Sequence, residues 1–479
     1  MTRLRSRVTS DGLAALSRVA PVVGSNREWG RLKRLVVIAL LSLGCVREAD
    51  SDWPQWRGPE GLGVSTATSL PVEWSDGETN TRWTVALQGL GNSSPIVALD
   101  TVYLTEARRE NPGEEPRRFS RWLLAIDGEN GGLRWEKRIS TADAEPKHRE
   151  NTFSSPTPAA DGQGVYVYFG AHLARVLHAG EVDWLVEVAP DYAATSRYGA
   201  ASSPVLAADV VVVMQDREWG YRRRPSHTGW IAGFDRDSGA LRWKHEWAGE
   251  EGPCCTYTTP LILRSGSRER LIVAYSWIMR EYDPQTGEIL WSYEYTDGGW
   301  AINQLASSPV FENDLLVVSG GAHGVKSTQA FSFAASDSGS IPTLLWGNEQ
   351  AVPETSSPLL MDGVLYTVTD NRTMSAYDGH TGHLYWRQRL PPNGKYQASL
   401  LGGAGRIYAA ATDGVAVIEA GREFKLLANN VSDGGLTNAS LAVGADCLLL
   451  RTLTALRCIE GSESTVRSEQ SGPAEPEAY

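Results

Sequence analysis

The feature of this sequence that most constrains its fold is a short motif that returns eight times. In each copy a pair of small residues, usually Ser-Ser or Thr-Thr, precedes a segment of alternating apolar residues. The second residues of the pairs are Ser94, Ser155, Ser203, Thr259, Ser308, Ser357, Ser399 and Ser440. Successive copies at a spacing of 41 to 61 residues indicate a repeat protein in which each unit is one supersecondary structure.

A second motif alternates with the first. It consists of an apolar strand, an aspartate, a turn that ends in glycine, and a strand with tryptophan, as in AYDGHTGHLYW at 376–386 and EYDPQTGEILW at 281–291. The aspartate can accept turn N–H groups and the glycine can take a positive φ, which is typical of a β-hairpin. In seven copies this strand carries one tryptophan, and we expect Phe424 in its place in the eighth copy. The tryptophans are Trp83, Trp135, Trp184, Trp243, Trp291, Trp346 and Trp386. We interpret all seven tryptophans as core residues.

These two motifs predict an all-β fold, a single eight-bladed β-propeller of four-stranded antiparallel blades. A four-stranded sheet with two apolar faces buries both only between two neighbours, so the units must close in a ring. The last unit has room for three strands and lacks the tryptophan strand, which occurs instead at 81–87, before the first unit. We therefore expect the N-terminal strand to complete the eighth blade. The predicted organisation is a signal over 1–45, a leading segment over 46–80, the propeller over 81–460 and a disordered tail over 461–479.

The motifs resemble the pyrroloquinoline-quinone repeat, the blade unit of quinoprotein dehydrogenases and of the outer-membrane β-barrel assembly lipoprotein. The resemblance covers residues 53–460 and is closer to the assembly lipoprotein, which is not catalytic. It implies an eight-bladed propeller whose tryptophans dock blade against blade. The dehydrogenases imply in addition a quinone, a Ca²⁺ ion held by carboxylate and amide oxygens, and a further aspartate that acts as base.

A candidate site follows from the geometry of a propeller. The innermost strands border the axial channel, so the residues just before each small-residue pair should gather at one channel mouth. These candidates are Asn92, Arg149, Asn151, Arg197, Tyr257, Asn303, Gln304, Glu354, Tyr396, Gln397 and Asn438. A polar, amide-rich and aromatic set suits the binding of neutral or anionic groups. The alternative is that these side chains fill the channel and bond to one another and to water.

We expect no catalytic residue, metal or cofactor at this mouth. Glu354 is the only obvious acid among the candidates, which is too few for a Ca²⁺ site and a base. Cys254 and Cys255 are similar to the adjacent-cysteine disulfide found beside the quinone in some dehydrogenases. Because such a disulfide is strained, we interpret them as two separate thiols. Pyrroloquinoline quinone and Ca²⁺ are expected only under the alternative of a dehydrogenase.

The N-terminal sequence indicates export, which bears on whether the other cysteines can form a disulfide. Basic residues at 31, 33 and 34 precede a nine-residue apolar run that leads to Cys45. This is the layout of an export signal, and the apolar run is too short to span a bilayer as a helix. Cys45 after a small residue is similar to a lipobox and is a candidate for lipidation. Cys447 and Cys458 flank a predicted hairpin and are either a disulfide or two small buried apolar residues; we favour the second interpretation.

The charge balance limits the partners. With 45 basic and 57 acidic residues and no long basic block, we do not expect the chain to bind nucleic acid. We expect an exported protein of the periplasm or cell envelope that reaches a membrane only by a lipid anchor. Its expected function is a non-catalytic binding or assembly scaffold with envelope proteins as partners. The alternatives are a quinone- and Ca²⁺-dependent dehydrogenase of an alcohol or sugar, and a small-molecule or saccharide binder that uses the axial channel.

Overall fold

The structure of the protein is a computed structural model, and its described residues form eight antiparallel sheets of four strands each. The structure describes residues 52–75, 79–192, 198–215, 229–247, 255–266, 268–322, 324–334, 340–432, 435–444 and 447–461. The predicted signal, the tail from residue 462, Cys45, Arg197 and Cys254 lie outside these residues. No helix among the described residues is long and apolar enough to cross a membrane.

Seven of the sheets consist of four consecutive strands. Blade 1 contains β2 (Ile96–Ala98), β3 (Thr101–Arg109), β4 (Arg118–Asp127) and β5 (Leu133–Asp143). Blade 2 contains β6 (Ala159–Ala160), β7 (Gly164–Tyr168), β8 (His172–Leu177) and β9 (Val182–Glu187). Blade 3 contains β10 (Val205–Ala207), β11 (Val210–Gln215), β12 (Gly229–Asp235) and β13 (Leu241–Trp247). Blade 4 contains β14 (Leu261–Ser265), β15 (Arg268–Ala274), β16 (Ile278–Tyr282) and β17 (Ile289–Glu294), followed by a 3-10 helix, Tyr295–Gly298.

The later blades follow the same order. Blade 5 contains β18 (Val310–Glu312), β19 (Leu315–Ala322), β20 (Val325–Ser332) and β21 (Thr343–Asn348). Blade 6 contains β22 (Leu359–Met361), β23 (Val364–Val368), β24 (Thr373–Asp378) and β25 (Leu384–Arg389). Blade 7 contains β26 (Leu401–Gly403), β27 (Arg406–Ala411), β28 (Gly414–Glu419) and β29 (Leu426–Val431).

Blade 8 joins the two ends of the propeller. Its strands β30 (Ala442–Gly444), β31 (Cys447–Arg451) and β32 (Ala455–Glu460) are completed by β1 (Thr81–Ala86), which pairs antiparallel with β32. The predicted eight-bladed fold and its closure by an N-terminal strand are confirmed.

A disulfide lies within this closing blade. Cys447 on β31 and Cys458 on β32 are bonded to each other, with a Cα–Cα distance of 5.7 Å. Leu449 is the direct neighbour of Cys458 across the strand pair, so the two cysteines are diagonal neighbours. Their Cα distance lies within the range that a disulfide requires. The interpretation of these cysteines as two separate buried residues was wrong.

The small-residue pairs form a closed circle of hydrogen bonds around the axis. In each blade one backbone N–H donates to a side-chain hydroxyl of the next blade, at N···O distances of 2.8 to 3.1 Å. We call this set the hydroxyl ring: Ser94, Thr157, Ser203, Thr259, Ser308, Ser357, Ser399 and Ser440. In blade 2 the member is Thr157, not Ser155, because the Ser-Ser pair of that blade lies two residues before the ring position.

The tryptophans of the outer strands join each blade to the next one. The indole N–H of Trp243 donates to the carbonyl oxygen of Pro284 at 2.9 Å, and equivalent bonds leave Trp83, Trp135, Trp184, Trp346 and Trp386. The turn glycine of the next blade lies under the ring: Gly287 has φ 73°, and a Cβ there would approach Trp243 to 2.5 Å. Five of the seven tryptophans are buried, and Trp135 and Trp346 are half-buried.

The eighth position of this tryptophan series differs from the expectation. Ala428 on β29 pairs with Val417 next to the same register shift that accompanies the tryptophans, so Ala428 and not Phe424 occupies the position. Phe424 precedes β29, and its ring packs on Trp386 of blade 6 with 5.1 Å between centroids. Phe424 therefore contributes to the docking of the preceding blade.

The leading segment closes one end of the axial channel. It pairs with blade 1 through Trp53 and Val97, and with blade 7 through Val64 and Gly402. Between these bridges the buried Arg57 donates to the carbonyl oxygens of Leu62 and Pro358 at 2.8 and 2.5 Å. Burial lowers the pKa of Arg57 to about 9. Blades 1 and 7 both flank blade 8, but between the two bridges Gly61 lies beside Leu261 of blade 4, on the far side of the ring. The segment therefore crosses the propeller from one side of the ring to the other.

Candidate functional site

The other end of the channel opens into a cavity of about 680 Å³. Seven of the eight members of the hydroxyl ring line it, and Trp56 lines it as well. Trp56 also lines a much smaller hollow with Gly61 of the leading segment and Leu261 of blade 4, so the leading segment lies at this end of the cavity. The cavity is therefore blind, with Trp56 at its floor, and we call it the axial cavity.

Most of the residues predicted at the channel mouth lie together around the axial cavity. Those that line it are Asn92, Arg149, Asn151, Tyr257, Gln304, Glu354, Gln397 and Asn438. Two others point elsewhere. Asn303 accepts the backbone N–H of Ala322 at 3.0 Å, and Tyr396 is fully buried in the core of blades 6 and 7, where burial raises its pKa. What the lining residues do remains a prediction.

Glu150, which the sequence did not single out, joins four blades at this cavity. Its carboxylate forms an ion pair with Lys395 and accepts a hydrogen bond from Gln397 Nε2 at 3.0 Å. Its backbone carbonyl accepts from the side-chain amides of Asn92 and Asn438 at 3.0 and 3.4 Å. These bonds from Gln397 and Lys395 lower the pKa of Glu150.

Asp370 is a second carboxylate that the sequence did not indicate. Its Oδ2 accepts from the hydroxyl of Thr355 at 2.8 Å and from Gln397 Nε2 at 3.4 Å. Its Oδ1 accepts the backbone N–H groups of Glu354 and Thr355, both at 3.3 Å. The side-chain amide of Gln397 therefore lies between two carboxylates, one from the segment before blade 2 and one from blade 6.

Aromatic side chains lie across the ring from this polar group. Tyr198 and Tyr257 precede the inner strands of blades 3 and 4, whereas Gln397 and Asn438 precede those of blades 7 and 8. The two tyrosine rings are 6.1 Å apart and inclined at 77°. The axial cavity thus has an aromatic wall, Tyr198 and Tyr257, and a polar wall, Glu150, Asp370, Gln397 and Asn438.

The charges around the cavity are balanced. Among the described residues, three cationic and three anionic side chains line it: Arg149, Lys326, Lys395, Glu150, Glu354 and Asp370. Lys395 is paired with Glu150, and Lys326 with Glu354 at 3.3 Å. The side chain of Arg149 is 83% exposed at the rim and reaches Glu150 only at 3.8 Å. The site therefore offers a ligand many hydrogen-bonding groups and little net charge.

The polar wall does not fit a Ca²⁺ ion. Calcium requires six to eight oxygen ligands at ~2.3–2.6 Å, yet an N–H₂ group occupies the space between the two nearest carboxylates. Among the described residues no group of three His, Cys, Asp or Glu side chains is placed to hold a metal. Cys255 is buried and has a φ of 61°. Since Cys254 lies outside the described residues, the interpretation of this pair stays a prediction.

Comparisons with known proteins agree with this architecture. The family model described as outer membrane protein assembly factor BamB matches residues 64–219, 179–343 and 334–434. No curated protein matches the chain.

Three similar solved structures include one BamB protein and two dehydrogenases. BamB from Moraxella catarrhalis is 15% identical, with 80% of this chain and 98% of that chain covered and a TM-score of 0.51. A europium-containing methanol dehydrogenase is 10% identical, with 87% and 92% covered and a TM-score of 0.62. A quinohemoprotein alcohol dehydrogenase from Comamonas testosteroni is 12% identical, with 89% and 82% covered and a TM-score of 0.55. At these identities the likeness shows the fold alone.

Proposed function

Because the chain belongs to the family of the outer membrane protein assembly factor BamB, we propose that it is a non-catalytic binding scaffold at the bacterial cell envelope. Its recognition site is the axial cavity, and its partners are envelope proteins that meet the cavity rim. The description of the family supports the envelope location. The basic residues at 31, 33 and 34, the apolar run and Cys45 support export and attachment by a lipid anchor.

One observation carries the non-catalytic part of the proposal. The carboxylates of Glu150 and Asp370 already accept hydrogen bonds from Gln397, Thr355 and the ion-paired Lys395. A general base or a metal ligand needs a carboxylate oxygen that faces the substrate or the ion. Carboxylates held by neighbouring donors instead fix the shape of a recognition site.

A quinone-dependent dehydrogenase of an alcohol or sugar is the second candidate function. The presence of Trp56 on the cavity floor favours it, because a flat polycyclic ligand can stack on an aromatic ring. The polar wall opposes it, since the described residues do not form the oxygen cage that Ca²⁺ requires. We therefore place the dehydrogenase second.

A cofactor titration separates these two functions. The purified protein is titrated with pyrroloquinoline quinone and Ca²⁺, and absorbance and melting temperature are followed. We expect no saturable binding at high micromolar cofactor. Saturable binding that raises the melting temperature would overturn the proposal, and Glu150→Gln would then show whether the axial cavity holds the cofactor.

Site-specific photo-crosslinking in cells tests the contact with partners. A photoreactive amino acid replaces Arg149 at the exposed rim, and in a control it replaces Gln388, an exposed residue on the outer strand of blade 6. We expect a discrete adduct with an envelope protein from position 149 and none from position 388. Equal labelling from both positions, or none from 149, would contradict a partner at the rim.

A further inference from the structure

The two walls of the axial cavity differ in a way that indicates the chemistry of a ligand. The aromatic wall presents Tyr198 and Tyr257, whose rings are nearly perpendicular to each other, and the floor presents Trp56. Aromatic faces of this kind pack against C–H-rich surfaces, while a tyrosine also keeps a polar end. A ligand that fits here has at least one apolar face.

The polar wall presents the opposite character. Gln397 lies at 3.0 Å from a Glu150 oxygen and at 3.4 Å from an Asp370 oxygen, with Asn438 beside them at the carbonyl of Glu150. Carboxylates accept and side-chain amides both donate and accept. Adjacent hydroxyl groups are matched to such an array, because each hydroxyl can donate to one group and accept from the next.

The charge balance argues for a neutral ligand. A cationic ligand would compete with Lys395 for Glu150, and an anionic ligand would compete with Glu150 for Lys395. Either exchange would break an ion pair that already exists within the cavity. A neutral ligand leaves the pair intact and uses only the remaining hydrogen-bonding capacity.

The size and depth of the cavity narrow the class further. Its 680 Å³ lies within the ~300–1,000 Å³ of pockets that enclose drug-sized ligands. The floor is closed by Trp56, and seven hydroxyl-ring residues surround it. A closed cavity of this kind receives the end of a chain rather than its middle. The charged termini of a peptide would compete for side chains that are already in ion pairs, Lys395 with Glu150 and Lys326 with Glu354.

We infer that the axial cavity binds the terminal rings of a neutral saccharide, with their C–H faces on Tyr198, Tyr257 and Trp56 and their hydroxyls on the polar wall. The inference rests on the proposed function, because it takes the cavity to be a recognition site. The same chemistry describes a free oligosaccharide and a glycan carried by an envelope partner.

Calorimetric titration with paired disaccharides tests this inference. Cellobiose is compared with its anionic analogue cellobiouronic acid, and N,N′-diacetylchitobiose with the cationic glucosamine dimer. We expect at least one neutral member to bind saturably below about 10 mM, and its charged analogue to bind at least about tenfold more weakly. Absence of binding by both neutral disaccharides, or equal binding of charged analogues, would overturn the inference.

Variants locate the binding. Gln397→Leu removes the amide between the two carboxylates and should weaken the neutral disaccharide roughly tenfold or more. Asn438→Leu is a second variant of the same wall, for use if the first unfolds. Gln388→Leu is the matched control and should leave the affinity unchanged. Binding that survives both wall variants would place the saccharide elsewhere and overturn the inference.

The outcomes of this test and of the cofactor titration distinguish a failure of the saccharide inference from a failure of the proposed function. Quinone binding would refute the proposed function. If neither quinone nor saccharide binds while position 149 still crosslinks to an envelope protein, the scaffold stands and the saccharide inference fails. Titration with a neutral polar tripeptide gives the remaining outcome, because peptide binding lost in Gln397→Leu would replace the saccharide by a peptide.

Discussion

The hydroxyl ring and the walls of the axial cavity lie next to each other but are built in opposite ways. In the ring every blade supplies the same pair of atoms, a backbone N–H and a side-chain hydroxyl, at 2.8 to 3.1 Å. In the walls each blade supplies a different side chain, such as Tyr257 from blade 4 and Gln397 from blade 7. The repeated residues determine the fold, and the residues that depart from the repeat determine the chemistry of the cavity walls.

The lengths of the repeats show the same contrast. Neighbouring ring residues are 41 positions apart between blades 7 and 8, but 63 apart between blades 1 and 2. The additional residues lengthen β3, β4 and β5 and supply the segment that carries Glu150. A buried ion pair between Arg121 and Glu145 fixes this segment to blade 1. An insertion that leaves the ring intact has therefore added a wall residue.

The largest expected effect is on ring closure. Deletion of residues 46–90 removes β1 from blade 8 together with the leading segment, and leaves β32 with an unpaired edge. Since every blade is buried only by its neighbours, we expect loss of the cooperative melting transition, measured by circular dichroism. Deletion of residues 462–479 is the control and should leave the transition unchanged. An unchanged transition after the first deletion would refute closure by the N-terminal strand.

Truncation of a docking tryptophan should have the next largest effect. Trp243 is 8% exposed, and its N–H bonds to the turn of blade 4. Trp243→Ala should lower the free energy of unfolding by about 3–5 kcal/mol, as for other large aromatic truncations in a core. Trp277→Ala, at a position 41% exposed, is the control and should cost less than about 1 kcal/mol. Equal costs in denaturant unfolding would mean that the tryptophans do not dock the blades.

A single bond of the hydroxyl ring should contribute less. The backbone N–H of Thr259 donates to the hydroxyl of Ser308 at 2.8 Å. Ser308→Ala leaves this buried N–H without its acceptor, which should lower the free energy of unfolding by about 1–3 kcal/mol. Ser292→Ala, on the exposed face of β17, should change stability by less than about 0.5 kcal/mol. A loss no greater than that of the control would show that the ring is a consequence of blade packing and does not stabilise it.

The fold was predictable because the residues that form it recur. The outer-strand tryptophans and the aspartate turns mark each blade in the sequence. In one such turn Asp378 accepts a hydrogen bond from the Tyr385 hydroxyl and from the backbone N–H groups of Thr381 and His380, and these bonds lower the pKa of Asp378 to about 2. Errors occurred where a copy deviates. In blade 2 the ring residue is Thr157, two positions after the predicted Ser155. In blade 7 Ala428 occupies the tryptophan position, where Phe424 was expected.

The candidate site was less predictable because its contacts join distant parts of the chain. Gln397 was identified from its place before a small-residue pair, whereas Glu150 is recognised only through its bond to Gln397 across 247 positions. Asp370 lies in a hairpin turn within blade 6, a place that the search before each pair did not include. Trp56 belongs to the leading segment, which has no counterpart in the repeat and therefore gives no periodic signal.

The smallest expected effect belongs to the cavity wall and depends on pH. Since Gln397 and Lys395 lower the pKa of Glu150 in the folded protein, ionised Glu150 stabilises the fold at neutral pH. Glu150→Gln should therefore cost about 0.5 kcal/mol at pH 7, the scale of a partly exposed ion pair. This difference should be complete above the ordinary carboxyl pKa of 4.5 and disappear as the pH falls through the lowered value. Melting temperatures from pH 7 downward measure it, with Glu349→Gln at an exposed site as the control. A difference that does not change with pH would show that Glu150 acts by its shape alone, as the ring hydroxyls do.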